Sequence, residues 1–149
     1  MRRVNAEIQS VTRPGRDTGV LRRLAVPGGL LAVVAGAFAY VGTVDPNQPG
    51  HYPVCPLFRL TGLYCPGCGG LRSAHAFAHG DLATALTDNA LAVGGYLAFA
   101  VLWSVWVIRV LRGRPVRLEA GRVHLWVLGA LVLVFTVVRN LPSGGWLHP

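Results

Sequence analysis

Residues 90–108 read ALAVGGYLAFAVLWSVWVI, nineteen in a row without a charge. At about 1.5 Å of rise per residue a helix there spans roughly 28 Å, close to the ~30 Å hydrocarbon core of a bilayer. Arg109, Arg112, Arg114 and Arg117 follow, with Gly113 and Pro115 as breakers, so residues 109–122 are expected to form a short basic loop. Upstream, Asp81 is placed to cap a helix beginning Leu82-Ala83-Thr84-Ala85-Leu86, which then runs straight into the membrane.

Two further apolar runs flank this one. Residues 24–44 hold 21 uncharged positions, enough for a helix of about 31 Å. Cleavage as a signal peptide at Ala37-Phe38-Ala39 is the alternative, disfavoured by the long basic leader. Residues 123–138 are only 16 long, and the arginines at both ends, Arg122 and Arg139, can snorkel to lengthen the effective span. A soluble core helix competes with a span at that length, and the two neighbouring spans decide for the membrane.

Composition agrees. The 149 residues are 52% hydrophobic and 13% charged, with a mean hydropathy of +0.47, too apolar for an ordinary soluble domain. The formal charge is +8 and every cation other than histidine is an arginine. These arginines flank apolar runs and do not line an amphipathic face, which points to membrane orientation and away from nucleic acid. Residues 1–23 hold six of the fourteen and are expected to be a disordered basic tail; residues 109–122 hold five. Arg59, Arg72 and Arg139 are left for the other side. The amino terminus is therefore expected in the cytoplasm, and the 45–88 loop and carboxyl terminus outside. Trp103, Trp106 and Trp126 then fall near one cytoplasmic boundary, as an aromatic belt should. No internal repeat is present. The fold expected is an all-α integral membrane protein: a tail over 1–23, then a single membrane domain over 24–149 with spans at about 24–44, 90–108 and 123–138.

The outward loop carries the chemistry. Residues 55–79 read CPLFRLTGLYCPGCGGLRSAHAFAH and contain all three cysteines. In Cys65-Pro66-Gly67-Cys68-Gly69 two sulfurs sit close enough to share a metal, Pro66 preorganises the turn, and Gly69 tolerates positive φ. Cys55 offers a third sulfur. His75 and His79, one helical turn apart on a short helix ending at Gly80, offer a fourth ligand, so zinc is the cofactor considered. The same atoms suit thiol–disulfide exchange, with Cys65, Cys68 and Arg72 as catalytic candidates, because a thiolate before a helix start and near a cation has a lowered pKa. A structural disulfide between Cys55 and Cys65 or Cys68 is the simplest alternative, and an outward position favours it. An odd cysteine count leaves one thiol over in that case. Among Asp45, Asp81 and Asp88, Asp81 is the acid expected to pair with Arg139, unless Arg139 packs on the cysteine loop or snorkels to lipid.

The order of these motifs is familiar. Cys55-Pro56, Leu60-Thr61-Gly62-Leu63-Tyr64-Cys65-Pro66-Gly67-Cys68-Gly69-Gly70-x-Arg72, His79-Gly80-Asp81-Leu82-x-x-Ala85 and Arg139-Asn140 resemble the bacterial membrane family known as domain of unknown function 2752 (DUF2752), over roughly residues 50–142. The family commonly has Thr where this chain has Leu71, and Asn-Pro where it has Asn89-Ala90. The resemblance implies a small multi-pass bacterial membrane protein and carries no activity or cofactor with it. Three functions follow as expectations. First is a non-enzymatic membrane protein whose stapled or metal-bound loop meets another membrane protein or a second copy. A thiol–disulfide or metal-dependent enzyme is the alternative. A small-solute transporter comes third, since the spans hold almost no ionisable residue.

Overall fold

The computed structural model describes residues 16–48, 50–114 and 121–147. Within them the chain is all-α: α1 (Arg16–Thr43), α2 (Pro56–Thr61), α3 (Gly70–Ala78), α4 (Leu82–Leu111), α5 (Arg122–Arg139) and a terminal 3₁₀ helix (Pro142–Leu147). Three segments are long and apolar enough to cross a membrane: Leu21–Thr43, Leu82–Leu111 and Arg122–Arg139. Their side chains are mostly exposed, as lipid-facing helices require. This is an integral membrane protein of three spans with its cysteine loop at one end of them.

Two boundaries differ from expectation. Helix α1 is described from Arg16, so residues 16–23 are helical and not disordered as expected. No proline lies between Arg16 and the apolar run, the single Gly19 costs only about 1 kcal/mol, and the run's own helix extends backward through them. The remainder of the expected tail, residues 1–15, lies outside the described residues, as do residues 115–120 of the basic loop. Helix α5 is two residues longer than the apolar run, taking in Arg122 and Arg139. The entry to α4 is as the sequence indicates: the Asp81 carboxylate accepts from the Thr84 N–H at 3.0 Å and its hydroxyl at 2.6 Å. These bonds hold the Asp81 pKa below the usual carboxylate range.

Helix α3 lies along α4 and also meets α1. Ala76, Ala85 and Val93 form the small core, covered by Phe77 and Tyr96. Phe38 of α1 completes an aromatic trio, with ring centroids 5.0 Å from Tyr96 and 6.1 Å from Phe77. This packing makes Phe38 part of the assembled fold. Toward the other end, Trp103 Nε1 donates to the Pro27 carbonyl at 2.9 Å, tying α4 to α1. Helix α5 stands apart along most of its length. Its attachments gather at its carboxyl end, on the 3₁₀ helix and the cysteine loop.

Candidate functional site: a three-sulfur knuckle clamped from below

The site starts with two turns. Pro56 occupies the first turn of α2, where its fixed φ suits a helix start, and this sets Cys55 at the N-cap. Helix α2 itself is not evident from the sequence, being six residues long inside a stretch read as loop. In the second turn the Cys68 N–H donates to the Cys65 carbonyl at 3.1 Å and the Gly70 N–H to Gly67 at 3.0 Å. Gly69 then enters α3 at φ +76°, the left-handed conformation its position was expected to need.

These turns bring the three sulfurs together. Cys65 and Cys68 Sγ are 2.9 Å apart, Cys55 and Cys65 Sγ 3.5 Å, and all three lie within 4.8 Å of one another. No disulfide joins them. Zinc–sulfur bonds of about 2.3 Å in a tetrahedral site put sulfurs about 3.8 Å apart, so the three sulfurs are close enough together to share one ion. The Cys65 N–H also donates to Cys68 Sγ at 3.2 Å. The sulfurs differ electrostatically. Hydrogen bonding from the Phe58 N–H, and then from the neighbouring thiols, lowers the Cys55 pKa to about 7. Burial, reinforced by the adjacent thiols, pushes Cys68 up to about 12.

The knuckle's main chain is held by three buried or half-buried side chains. Asn89 Nδ2 donates to the carbonyls of Pro66 (2.9 Å) and Cys68 (3.0 Å). Asn89 has extended backbone (φ −162°, ψ 90°) and kinks α4, while its Oδ1 accepts from the Ala92 N–H at 2.9 Å to restart the helix. Arg139, fully buried, donates from one terminal nitrogen to the carbonyls of Cys65 (3.1 Å) and Cys68 (3.0 Å). Its other terminal nitrogen donates to Leu147 (3.0 Å) and Asp88 (3.4 Å). The guanidinium also lies over the rings of Phe135 (5.1 Å) and Tyr64 (5.5 Å). Asn140 brackets Tyr64, accepting from its N–H and donating to its carbonyl, each at 2.9 Å. Ser73, also fully buried, donates to the Ala85 carbonyl at 2.8 Å and so locks α3 onto α4.

Two pairings anticipated from the sequence are replaced by others. Asp81 does not form an ion pair with Arg139; its carboxylate caps α4, and the acceptors named above for Arg139 are main-chain carbonyls. The alternative, packing against the cysteine loop, is what occurs. His75 and His79 do not join the sulfur cluster: among the described residues, the group with metal-ligand spacing contains Cys55, Cys65 and Cys68 alone. His75 instead faces the end of α1, its Nδ1 on the Val41 carbonyl at 2.8 Å and its Nε2 4.0 Å from the Asp45 carboxylate. The His79 ring lies tilted against that of His75, centroids 4.4 Å apart, with Nδ1 on the His75 carbonyl. The His75 ring is thus turned to α1, away from the sulfurs.

Arg72 is exposed and lines, with Cys55 and Cys68, a cavity of about 340 Å³. Asn89 and Ser73 are the site residues that sequence reasoning missed. An Asn at the mouth of a charge-free run was the available signal for the first; nothing marked the second.

No curated protein and no solved structure matches this chain. Residues 55–103, from the first sulfur through α3 and well into α4, match the model described as "Protein of unknown function (DUF2752)". That stretch contains the knuckle, Ser73 and Asn89, while Arg139 and Asn140 lie beyond it, and over it the chain is similar to the DUF2752 family.

Proposed function

We propose that this chain is a three-span protein of the bacterial cell membrane whose outward cysteine knuckle binds zinc through Cys55, Cys65 and Cys68. In this account the metal is structural, and the loaded loop is the surface that another membrane protein recognises. The convergence of three sulfurs from two separate turns carries the proposal. A staple needs only two. The clamp by Asn89, Arg139 and Asn140 supports it too, because a preorganised ligand set lowers the entropy cost of binding a metal. Exposed Leu57, Leu60 and Leu63 beside the sulfurs offer an apolar contact surface. The amino terminus is assigned to the cytoplasm from the arginine distribution.

The chelate predicts its own test. Cys65→Ser and Cys68→Ser should each abolish zinc binding, Cys55→Ser should weaken it severely, and His75→Ala or His79→Ala should leave metal content unchanged. Metal content indifferent to the cysteine variants would remove the assignment. A membrane-impermeant thiol reagent, applied to intact cells after reduction and chelation, should reach the knuckle. Labelling only after permeabilisation would reverse the orientation.

The 2.9 Å contact between Cys65 and Cys68 favours a second function, thiol–disulfide exchange. There the two thiols would be oxidised to a disulfide as a partner's disulfide is reduced to two thiols. One thiol of the pair would open the partner's disulfide as a mixed disulfide and the other would resolve it.

A further inference from the structure

The cavity of about 340 Å³ beside the sulfurs is unexplained by a purely structural zinc. Its walls include Cys55 and Cys68, the three rings of Tyr52, Phe58 and Tyr64, and Arg72. An ion held by the three sulfurs therefore sits at the cavity wall, since two of its ligands line it. Tetrahedral zinc takes four donors. Among the described residues the cluster supplies three; His75 is turned to α1 and His79 is bonded to the His75 carbonyl. The fourth position is then filled from the cavity.

The lining says what kind of molecule fits. Three thiolates make a soft site, for which another sulfur is the best-matched donor. A dication with four thiolates carries two negative charges, and buried Arg139 lies directly under the knuckle to offset part of that. Arg72 is the cation on the cavity side, and its planar fork suits a carboxylate. The rings between provide an apolar wall for a short carbon chain. We infer that the fourth coordination position takes a small exogenous thiol bearing a carboxylate. The sulfur binds the ion after losing its proton to solvent, and the carboxylate pairs with Arg72. This inference rests on the metal site proposed above.

Cobalt(II) substitution of the full chain in detergent, without oxygen, provides the readout. Titration with 3-mercaptopropionate should raise the sulfur-to-cobalt charge-transfer absorption to saturation. 2-Mercaptoethanol, which lacks the carboxylate, should bind about fivefold more weakly, the scale of one solvent-exposed ion pair, and propionate should leave the spectrum near its starting form. In Arg72→Gln the cobalt spectrum without ligand should be unchanged and the preference for mercaptopropionate should vanish. A spectrum indifferent to the thiol, removal of cobalt by it, or a preference that survives Arg72→Gln overturns the inference while leaving the three-sulfur metal site intact. Failure of the chain to take up cobalt at all overturns both.

Discussion

Arg139→Gln perturbs a residue that, with Asn140, joins the last span to the cysteine loop. The arginine is fully buried and makes three contacts of 3.0–3.1 Å, two to the knuckle and one to the 3₁₀ helix. The knuckle carbonyls each keep another donor when it is lost, Cys68 N–H for Cys65 and Asn89 for Cys68. Leu147 loses the donor that fixes the chain's end. Hydrogen bonds to a charged donor contribute about 1.5–3 kcal/mol each, and the retained donors reduce that for two of them. A loss of about 3 kcal/mol follows, or about 10 °C in Tm for a chain of this length. The assay is thermal unfolding in detergent, with the alkylation rates of Cys65 and Cys68 measured in metal-free protein alongside. Arg139→Gln should lower Tm and expose both thiols. Arg139→Lys should recover part of the loss, since one ammonium cannot reach both the knuckle and Leu147. A Tm and thiol reactivity unchanged in Arg139→Gln would refute the clamp and leave the arginine as a lipid anchor.

Three other outcomes can be checked. Asn89→Ala removes the donor to the Pro66 carbonyl and the acceptor for the Ala92 N–H, while Cys68 keeps Arg139; at about 1–3 kcal/mol per orphaned group it should cost at least ~2 kcal/mol and loosen metal retention, measured by competition with a chelator. Gly144→Ala would drive a Cβ into the Val138 carbonyl, so the 3₁₀ helix must move off Arg139; unfolding should show a loss of at least ~2 kcal/mol at a residue far from the sulfurs in sequence. In metal-free protein, alkylation of Cys55 should climb between about pH 6 and 8 and then level, because the thiolate forms as pH rises through about 7. Cys68, held near 12 by burial, should stay unreactive across that range. Peptide mapping by mass spectrometry reads both, and equal rates at pH 7 would contradict the difference in environment.

The parts legible in the sequence are those that hydropathy and local turn chemistry determine. Charge-free runs mark spans regardless of what they pack against, so all three were found, including the short one ending at Arg139. The Cys-Pro-Gly-Cys-Gly turn, the helix stop at Gly80 and the Asp81 cap are equally local. What escaped depends on tertiary placement. Any carbonyl can accept a hydrogen bond, so no residue pattern announces that Arg139 will bind Cys65, Cys68 and Leu147 in place of Asp81. The histidines were misplaced for a related reason. Spacing puts His75 and His79 one turn apart, but only the packing of α3 shows that the His75 ring meets α1. Helix α2 was too short for periodicity to register, and Pro56 beside a cysteine reads as turn or helix start alike.

Zinc content and thiol count, taken together on wild-type protein purified in detergent without reductant, test the central claim most directly. One zinc per chain is expected, with all three cysteines reacting with a thiol reagent only after a chelator removes the metal. Metal-free protein with a single reactive thiol, its other two cysteines joined in a disulfide, would contradict it.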